Sequence, residues 1–377
     1  MVGPPPTQQT EPAVARSTGA VLPGDLAWIG GRVEAAVDEF LERERLRWSA
    51  LDPALEEPLR ALRELVLNGG KRLRPTFCHW GFVAAGGDPD DPRIVEAGAA
   101  FEMFQAFALI HDDVMDGSAT RRGAPAAHVE LASRHRRRDW DGSPDTFGLA
   151  GAVLAGNLCL TASDELVARA ELPDLRAARE VFAVMRTQLM AGQFLDVVES
   201  VRPWRTMPAA ERLERADRVI RYKSAKYSVE HPLLIGAHAA HADPDQIRAL
   251  GSFGLDVGRA FQLRDDLLGV FGDPSVTGKP SGDDLREGKR TVLIAATLDR
   301  VGEPESERLM SGLGQDDLET IAELQGIIAR SGAVDWVEQR ISELTDGALF
   351  ALTQARLSPR GHVTLVELAQ QATQRTS

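Results

Sequence analysis

Three aspartates close an otherwise apolar run in FQAFALIHDDVMDGSATRRG, residues 104–123. In a helix, Asp112 and Asp116 fall at i and i+4, so they lie one above the other on one face, with Asp113 beside them. Two carboxylates about 6 Å apart repel by roughly 3 kcal/mol at an effective dielectric near 20, so the pair requires a cation. A second apolar helix, GRAFQLRDDLLGVFGD, ends the same way with Asp265 and Asp266. Either motif alone reads first as a solvated helix end. Facing one another across a helical bundle, the two sets make a cage of hard oxygen ligands. Such a cage suits magnesium that keeps some waters and bridges to substrate phosphates.

Cationic residues recur as GGKRLRP (Lys71, Arg72, Arg74), RRG (Arg121, Arg122), KSAKY (Lys223, Lys226) and TGK (Lys279). Lys71 and Arg74 stand three apart at a glycine-preceded helix start, where backbone N–H groups and two side chains suit a phosphate. Acidic metal cages beside separate basic pockets suggest two substrates, one held through metal ions and one held directly by Lys and Arg.

The elements that position these residues read as all-α. Apolar residues recur at three and four, as in Ile247, Leu250, Phe253, Val257 and Phe261, and alternating strand patterns are nearly absent. Pro53, Gly69–Gly70, Gly86–Gly87, Pro173, Pro203 and Pro244 signal helix boundaries. The expected architecture is ten to fourteen helices packed as one domain over residues 25–377. The first 24 residues, beginning MVGPPPTQQTEPAVARST, read as a disordered arm without a secretory pattern. Two interruptions are long. Residues 117–145 include RHRRRDWDG, with Arg134 to Arg138 expected in a solvated loop, and residues 272–290 form a Gly/Pro-rich segment.

The net charge of -13 and pI near 5.2 argue against nucleic-acid binding. Cys78 and Cys159 lack metal-type spacing, so neither a disulfide framework nor a zinc site is expected, and a reducing cytoplasm fits. The longest weakly polar stretch, Phe147 to Leu160, has 14 residues and includes Asn157, short of the ~20 that a membrane span needs. The expectation is a soluble protein.

Taken in order, GGKRLRP, DDVMD with RRG, GQFLD (Gly192 to Asp196), KSAKY, FQLRDDLLG and GKPSGDDLREGKRT closely resemble the motifs of the trans-isoprenyl diphosphate synthases, the polyprenyl synthetase family. That resemblance implies an all-α bundle, usually a homodimer, with a central cavity between the aspartate motifs. It implies magnesium bound by Asp112, Asp113 and Asp116 on one side and by Asp265, with Asp266, on the other, clamping an allylic diphosphate. Lys71, Arg74 and Arg122 resemble the isopentenyl diphosphate site, and Arg121, Lys223 and Lys279 the allylic site. Gln193 and Asp196 would line the cavity. The implied reaction ionises the allylic C–O bond, joins the cation to the double bond of isopentenyl diphosphate, and releases a proton to the departed diphosphate. Gln262, Ser224 and the backbone of Lys223 would stabilise the cation, the Lys279 loop would act as a lid, and His111 would be positional.

The chain departs from the family pattern in three places. Gly269 replaces the last aspartate of the second motif, with Asp273 one turn later as a possible substitute. Gln105 stands where many members carry histidine in the isopentenyl site, and a glutamine can still donate to phosphate. Ser224 replaces threonine and keeps the hydroxyl. Phe107 lies five residues before Asp112, about 7.5 Å down the helix axis. With small Ala108 beside it, it resembles the cavity floor of geranylgeranyl diphosphate synthases, so a C20 product is expected, with C15 as the alternative. A class I terpene cyclase is a weaker reading. Its second metal motif has a decoy in Asn157, Thr161 and Glu165, which follow the first motif too closely. A non-catalytic synthase subunit is disfavoured because the aspartates are retained.

Overall fold

The computed structural model describes residues 24–121, 123–274 and 280–374. Arg122, Lys279 and residues 1–23 of the expected arm therefore lie outside the described residues. The first half of the chain runs through α1 (Gly24–Ser49), α2 (Glu56–Leu67), α3 (Leu73–Ala84), α4 (Arg93–Met115), α5 (Ala127–Arg137), α6 (Pro144–Arg169) and α7 (Leu175–Val201). A continuous helical run follows, made of α8 (Ala209–Val219), a π-helical stretch (Ile220–Glu230) and α9 (His231–Ala239). After α10 (Pro244–Phe271) and a single turn at Asp283–Arg286 come α11 (Val292–Leu298), α12 (Glu303–Gly312), α13 (Leu318–Arg330), α14 (Ala333–Leu352) and α15 (Pro359–Thr373). The short helices of the C-terminal third take the number past the ten to fourteen expected.

Local chemistry explains the starts of the long helices. Ser143 caps α6 by accepting from the Thr146 N–H, with Pro144 preset at the first turn. Asp174 does the same for α7, and Asp243 with Gln246 closes a capping box around Pro244 on α10. The predicted stripe on α10 faces inward: Leu250, Phe253 and Val257 are buried, with Ile247 and Phe261 packed at the edge.

The core has two lobes that share α10. Its first half packs into a cluster with Val33 of α1, Phe77 of α3, Phe101 and Phe104 of α4, and Phe182 of α7. Its second half, from Ala260 to Val270, packs with Trp204 and with residues of α11, α13 and α14. The second aspartate motif thus sits on the helix that joins both lobes, and the first at the end of α4, most of which is buried.

Three expectations are corrected. The RHRRR run is not a loop, because most of it forms the last turn of α5. Cations at a helix C-terminus favour that end of the dipole, and Arg134 and Arg137 pair with Glu130 and Arg136 with Asp145. The segment before α5 contains a two-stranded antiparallel pairing, Thr120–Arg121 with Ala124–Pro125. Finally, α4 and α6 are each long and apolar enough to cross a membrane, although no stretch was read as such. The apolar window of α4 is mostly buried in the bundle, whereas that of α6 is only one-third buried.

Helices α3 and α9 cross almost backbone to backbone. A Cβ on Gly236 would lie inside 3.0 Å of the Cys78 carbonyl and the Phe82 nitrogen of α3. Backbone atoms cannot yield as a flexible side chain can, so Gly236→Ala is expected to destabilise the protein by about 1–3 kcal/mol. A lower urea midpoint at unchanged slope checks this.

Candidate active site

Asp112 and Asp116 project from the last turn of α4, Asp116 being its C-cap. Burial pushes the Asp112 carboxyl up. Lys223, by its charge and a hydrogen bond, together with Lys289 and Arg121, overrules burial and holds it below its usual value. Lys223 Nζ, from the π-helical stretch, lies 3.1 Å from Asp112 Oδ1 and 2.6 Å from Asp196 Oδ2 of α7. Gln193 Nε2 donates to the same Asp112 oxygen at 2.7 Å. A cation therefore does meet the first motif, Lys223, but its second partner is Asp196 rather than Asp116. Asp116 is less well served: burial and then the neighbouring Asp112 charge push its carboxyl up to about 6.

Asp113 is buried and turns towards Arg121, whose Nε donates to it at 2.9 Å. The same guanidinium approaches Asp112 at 3.9 Å. Asp113 thus fixes an arginine at the mouth of the first motif.

On α10, Gln262 Nε2 donates to Asp266 Oδ1 at 2.8 Å. Asp266 is buried, and burial, followed by the charge of Asp284, pushes its carboxyl up to about 8. Asp265 is half-buried beside it. At Gly269, an added Cβ would fall inside 3.0 Å of the Asp284 carboxylate. The acidic group closest to the missing aspartate's place is therefore Asp284. Asp273 lies beyond the end of α10.

The segment carrying Asp284 joins the two motifs. Lys289 Nζ lies 3.4 Å from Asp284 Oδ1 and pairs with Glu287, while Ser118, just after the first motif, donates to Glu287 at 3.1 Å. Burial pushes the Lys289 ammonium down, but Asp284, Glu287 and Asp116 carry it well above its usual value. Lys289, Asp284 and Glu287 were not singled out from sequence. Their signal was present in GDDLREGKR, where attention fell on Lys279.

The GGKRLRP residues separate into two roles. Arg72 is buried and paired with Glu34 and Glu102, which makes it structural. Arg74 donates to Ser228 Oγ at 2.8 Å, and its guanidinium carbon lies 4.0 Å over the Tyr227 ring. Tyr227 in turn donates to Gln105 Oε1, so the other end of that amide carries its N–H donors. Arg74 and Gln105 are thereby joined through Tyr227, another residue that sequence reading passed over. Lys71 precedes α3 on the same exposed turn, and Ser224 is half-buried one residue after Lys223.

Beneath the first motif, Phe107 is buried, its ring centroid 5.3 Å from that of Phe104 and 4.8 Å from that of His111, with Ala108 half-buried alongside. The cyclase decoy is elsewhere: Asn157, Thr161 and Glu165 are exposed on α6, and Glu165 pairs with Arg43. A separate groove of about 410 Å³ is lined by Asp217, Arg259, Trp336 and Arg340 and by none of the aspartates of either motif.

The donor set fits magnesium in a particular way. Among the described residues, no three His, Cys, Asp or Glu side chains converge on one metal position. What exists is a pair of half-sites of carboxylate oxygen, one on each helix end. Magnesium binds readily through one or two carboxylates when phosphate oxygens and waters complete its octahedron.

The polyprenyl synthetase family model matches residues 55–330. The chain belongs to the polyprenyl synthetase family. It is 34% identical to a short chain isoprenyl diphosphate synthase of Methanothermobacter thermautotrophicus, over 78% of this chain and 83% of the relative. It is also 34% identical to a geranylfarnesyl diphosphate synthase of Aeropyrum pernix, over 73% and 80%. Among solved structures, a geranylgeranyl pyrophosphate synthase from Corynebacterium glutamicum, complexed with isoprenyl diphosphate and magnesium, superposes with a TM-score of 0.87. That pair shares 39% identity over 93% of this chain and 99% of the other. As a polyprenyl synthetase, the protein is a prenyltransferase with the all-helical fold of that family.

Because Asp284 fills the space at Gly269, restoring the family aspartate should not help. Gly269→Asp is expected to lower stability by about 1–3 kcal/mol, since it crowds a carboxylate against Asp284 and Asp266. The double variant Gly269→Asp, Asp284→Ala should recover part of that loss, as read from urea unfolding.

Proposed function

We propose that the protein condenses isopentenyl diphosphate with allylic diphosphates in a magnesium-dependent head-to-tail reaction, and that its main product is geranylgeranyl diphosphate. The observation that carries this reading is the pair of acidic helix ends on α4 and α10, with Lys223 bridging Asp112 to Asp196 and Lys289 pairing with Asp284 beside the second, above an apolar helix that contains Phe107. Residues 25–377 act as one synthase unit in this reading, in a cytoplasmic homodimer. The dimer is supported by apolar side chains on α6 and α7, Leu154 and Phe194 among them, which are two-thirds exposed.

Asp112, Asp113 and Asp116 would hold metal on one side, and Asp265 and Asp266 on the other. Magnesium bound there supplies positive charge to the leaving diphosphate oxygens. Arg121, Lys223 and Lys289 add fixed positive charge to the same group, so the allylic C–O bond breaks with its electron pair on diphosphate. Lys71, Arg74 and the Gln105 amide hold isopentenyl diphosphate, with Arg122 and Lys279 proposed from sequence to complete the two anion sites. Gln262 and Ser224 present dipoles to the allylic cation. The double bond of the held substrate then forms the new C–C bond, and the lost proton passes to diphosphate. The apolar wall of α4 keeps water from the cation.

Purified protein given magnesium, labelled isopentenyl diphosphate and dimethylallyl, geranyl or farnesyl diphosphate should yield a ladder ending at C20. Phe107→Ala should extend it. A ladder ending at C15 or C25 would overturn the product assignment, and no condensation with any primer would overturn the enzyme reading. Asp112→Ala should lower turnover by at least about 10²–10³-fold, the scale of losing a charge-stabilising group. Unchanged turnover in that variant would remove the metal clamp. A sedimentation mass of one chain would remove the dimer.

A further inference from the structure

His111 lies one residue before the first aspartate motif and takes no part in the steps above. It stands one helical turn after Phe107 on α4, and its ring meets the Phe107 ring edge-on, at 4.8 Å between centroids and 70° between planes. On its far side the imidazole reaches α6, where Nε2 lies 3.3 Å from the Val153 carbonyl oxygen. A carbonyl only accepts, so this contact requires the proton on Nε2.

The seat of the ring on α6 is a glycine. A Cβ at Gly156 would fall inside 3.0 Å of both Nε2 and Cδ2 of His111, so the imidazole lies directly on bare helix backbone. Phe107 is therefore enclosed along α4, with Phe104 at 5.3 Å on one side and His111 at 4.8 Å on the other. His111 in turn cannot retreat, because the α6 backbone is behind it.

We propose that His111, seated on Gly156, is a specificity-determining positioning residue: it locks the Phe107 ring across the elongation cavity and so sets the chain length at which synthesis stops. This rests on the reading of Phe107 as the cavity floor. An aromatic floor blocks a growing chain only while its ring cannot turn aside, and the neighbours of Phe107 on its own helix decide that. Without the imidazole, the space between α4 and α6 opens on the side away from Phe104. The ring can then rotate into it, and the next isoprene unit passes.

The test is the product distribution from farnesyl diphosphate and excess labelled isopentenyl diphosphate, measured for wild type, Phe107→Ala, His111→Ala, His111→Phe and Gly156→Ala. The ratio of longer products to C20 does not depend on total rate, so a general loss of activity beside Asp112 does not imitate the effect. The expected result is a several-fold rise in that ratio for His111→Ala, in the same direction as Phe107→Ala, and a return towards the wild-type ratio in His111→Phe, which restores a ring. If Phe107→Ala lengthens the product while His111→Ala leaves it at the wild-type length, the brace is refuted and the floor stands. If Phe107→Ala itself changes nothing, the floor reading fails. Should His111→Ala not fold, Gly156→Ala displaces the imidazole from the α6 side. A moved stopping length there supports the proposal, and an unmoved one overturns it.

Discussion

Crowding of negative charge at two converging helix ends is the constraint to which the rest of the site responds. Asp112 and Asp116 sit at the C-terminal end of α4, where the helix dipole is already unfavourable to anions. Asp266 and Asp284 approach from α10 and the turn after it, with the Asp266 carboxyl pushed up to about 8 by burial and by Asp284. Nothing in local propensity favours this arrangement. It persists because the apolar faces of α4 and α10 are buried in the core, and because Lys223, Lys289 and Arg121 arrive from three other segments to offset the charge. Functional sites are where a sequence breaks its own local rules, supported by the packing around them.

The π-helical stretch is part of that support. Lys223, Tyr227 and Ser228 all lie within it, so one irregular segment serves the Asp112–Asp196 pair and also the Arg74–Gln105 group. π-Helical turns are uncommon and concentrate at functional sites. Here the irregularity places a lysine on one acidic helix end while the tyrosine four residues later joins an arginine to an amide.

Much of this was legible in the sequence because it rests on short-range rules. Pro244 marked the start of α10, the three-and-four stripe marked its buried face, and the i, i+4 spacing of Asp112 and Asp116 implied a cation. The identity of that cation was not legible, since Lys223 is brought to Asp112 by tertiary packing across 111 residues. The same holds for Asp284, whose position against Gly269 depends on how the chain returns after α10. The RHRRR run was misread because composition suggested a solvated loop, whereas Glu130 and the α5 dipole stabilise it as a helix end. The length and exposure of the α6 apolar face were missed because Asn157 and the glycines interrupt its hydropathy.

Helix α4 carries Asp112 and Asp116 at its tip and the Phe107 ring about one and a half turns below, so the aspartates and the proposed cavity floor belong to one body. The seat behind the neighbouring His111 ring belongs to a different helix, at Gly156, where a Cβ would meet the imidazole as it stands. On the proposed reading, product size thus answers in part to a helix that carries none of the aspartates. Over generations, a lineage could retune how long a lipid it makes through changes on α6 while the residues that break and form bonds stay fixed, which allows one catalytic scaffold to diversify its output without passing through inactive intermediates.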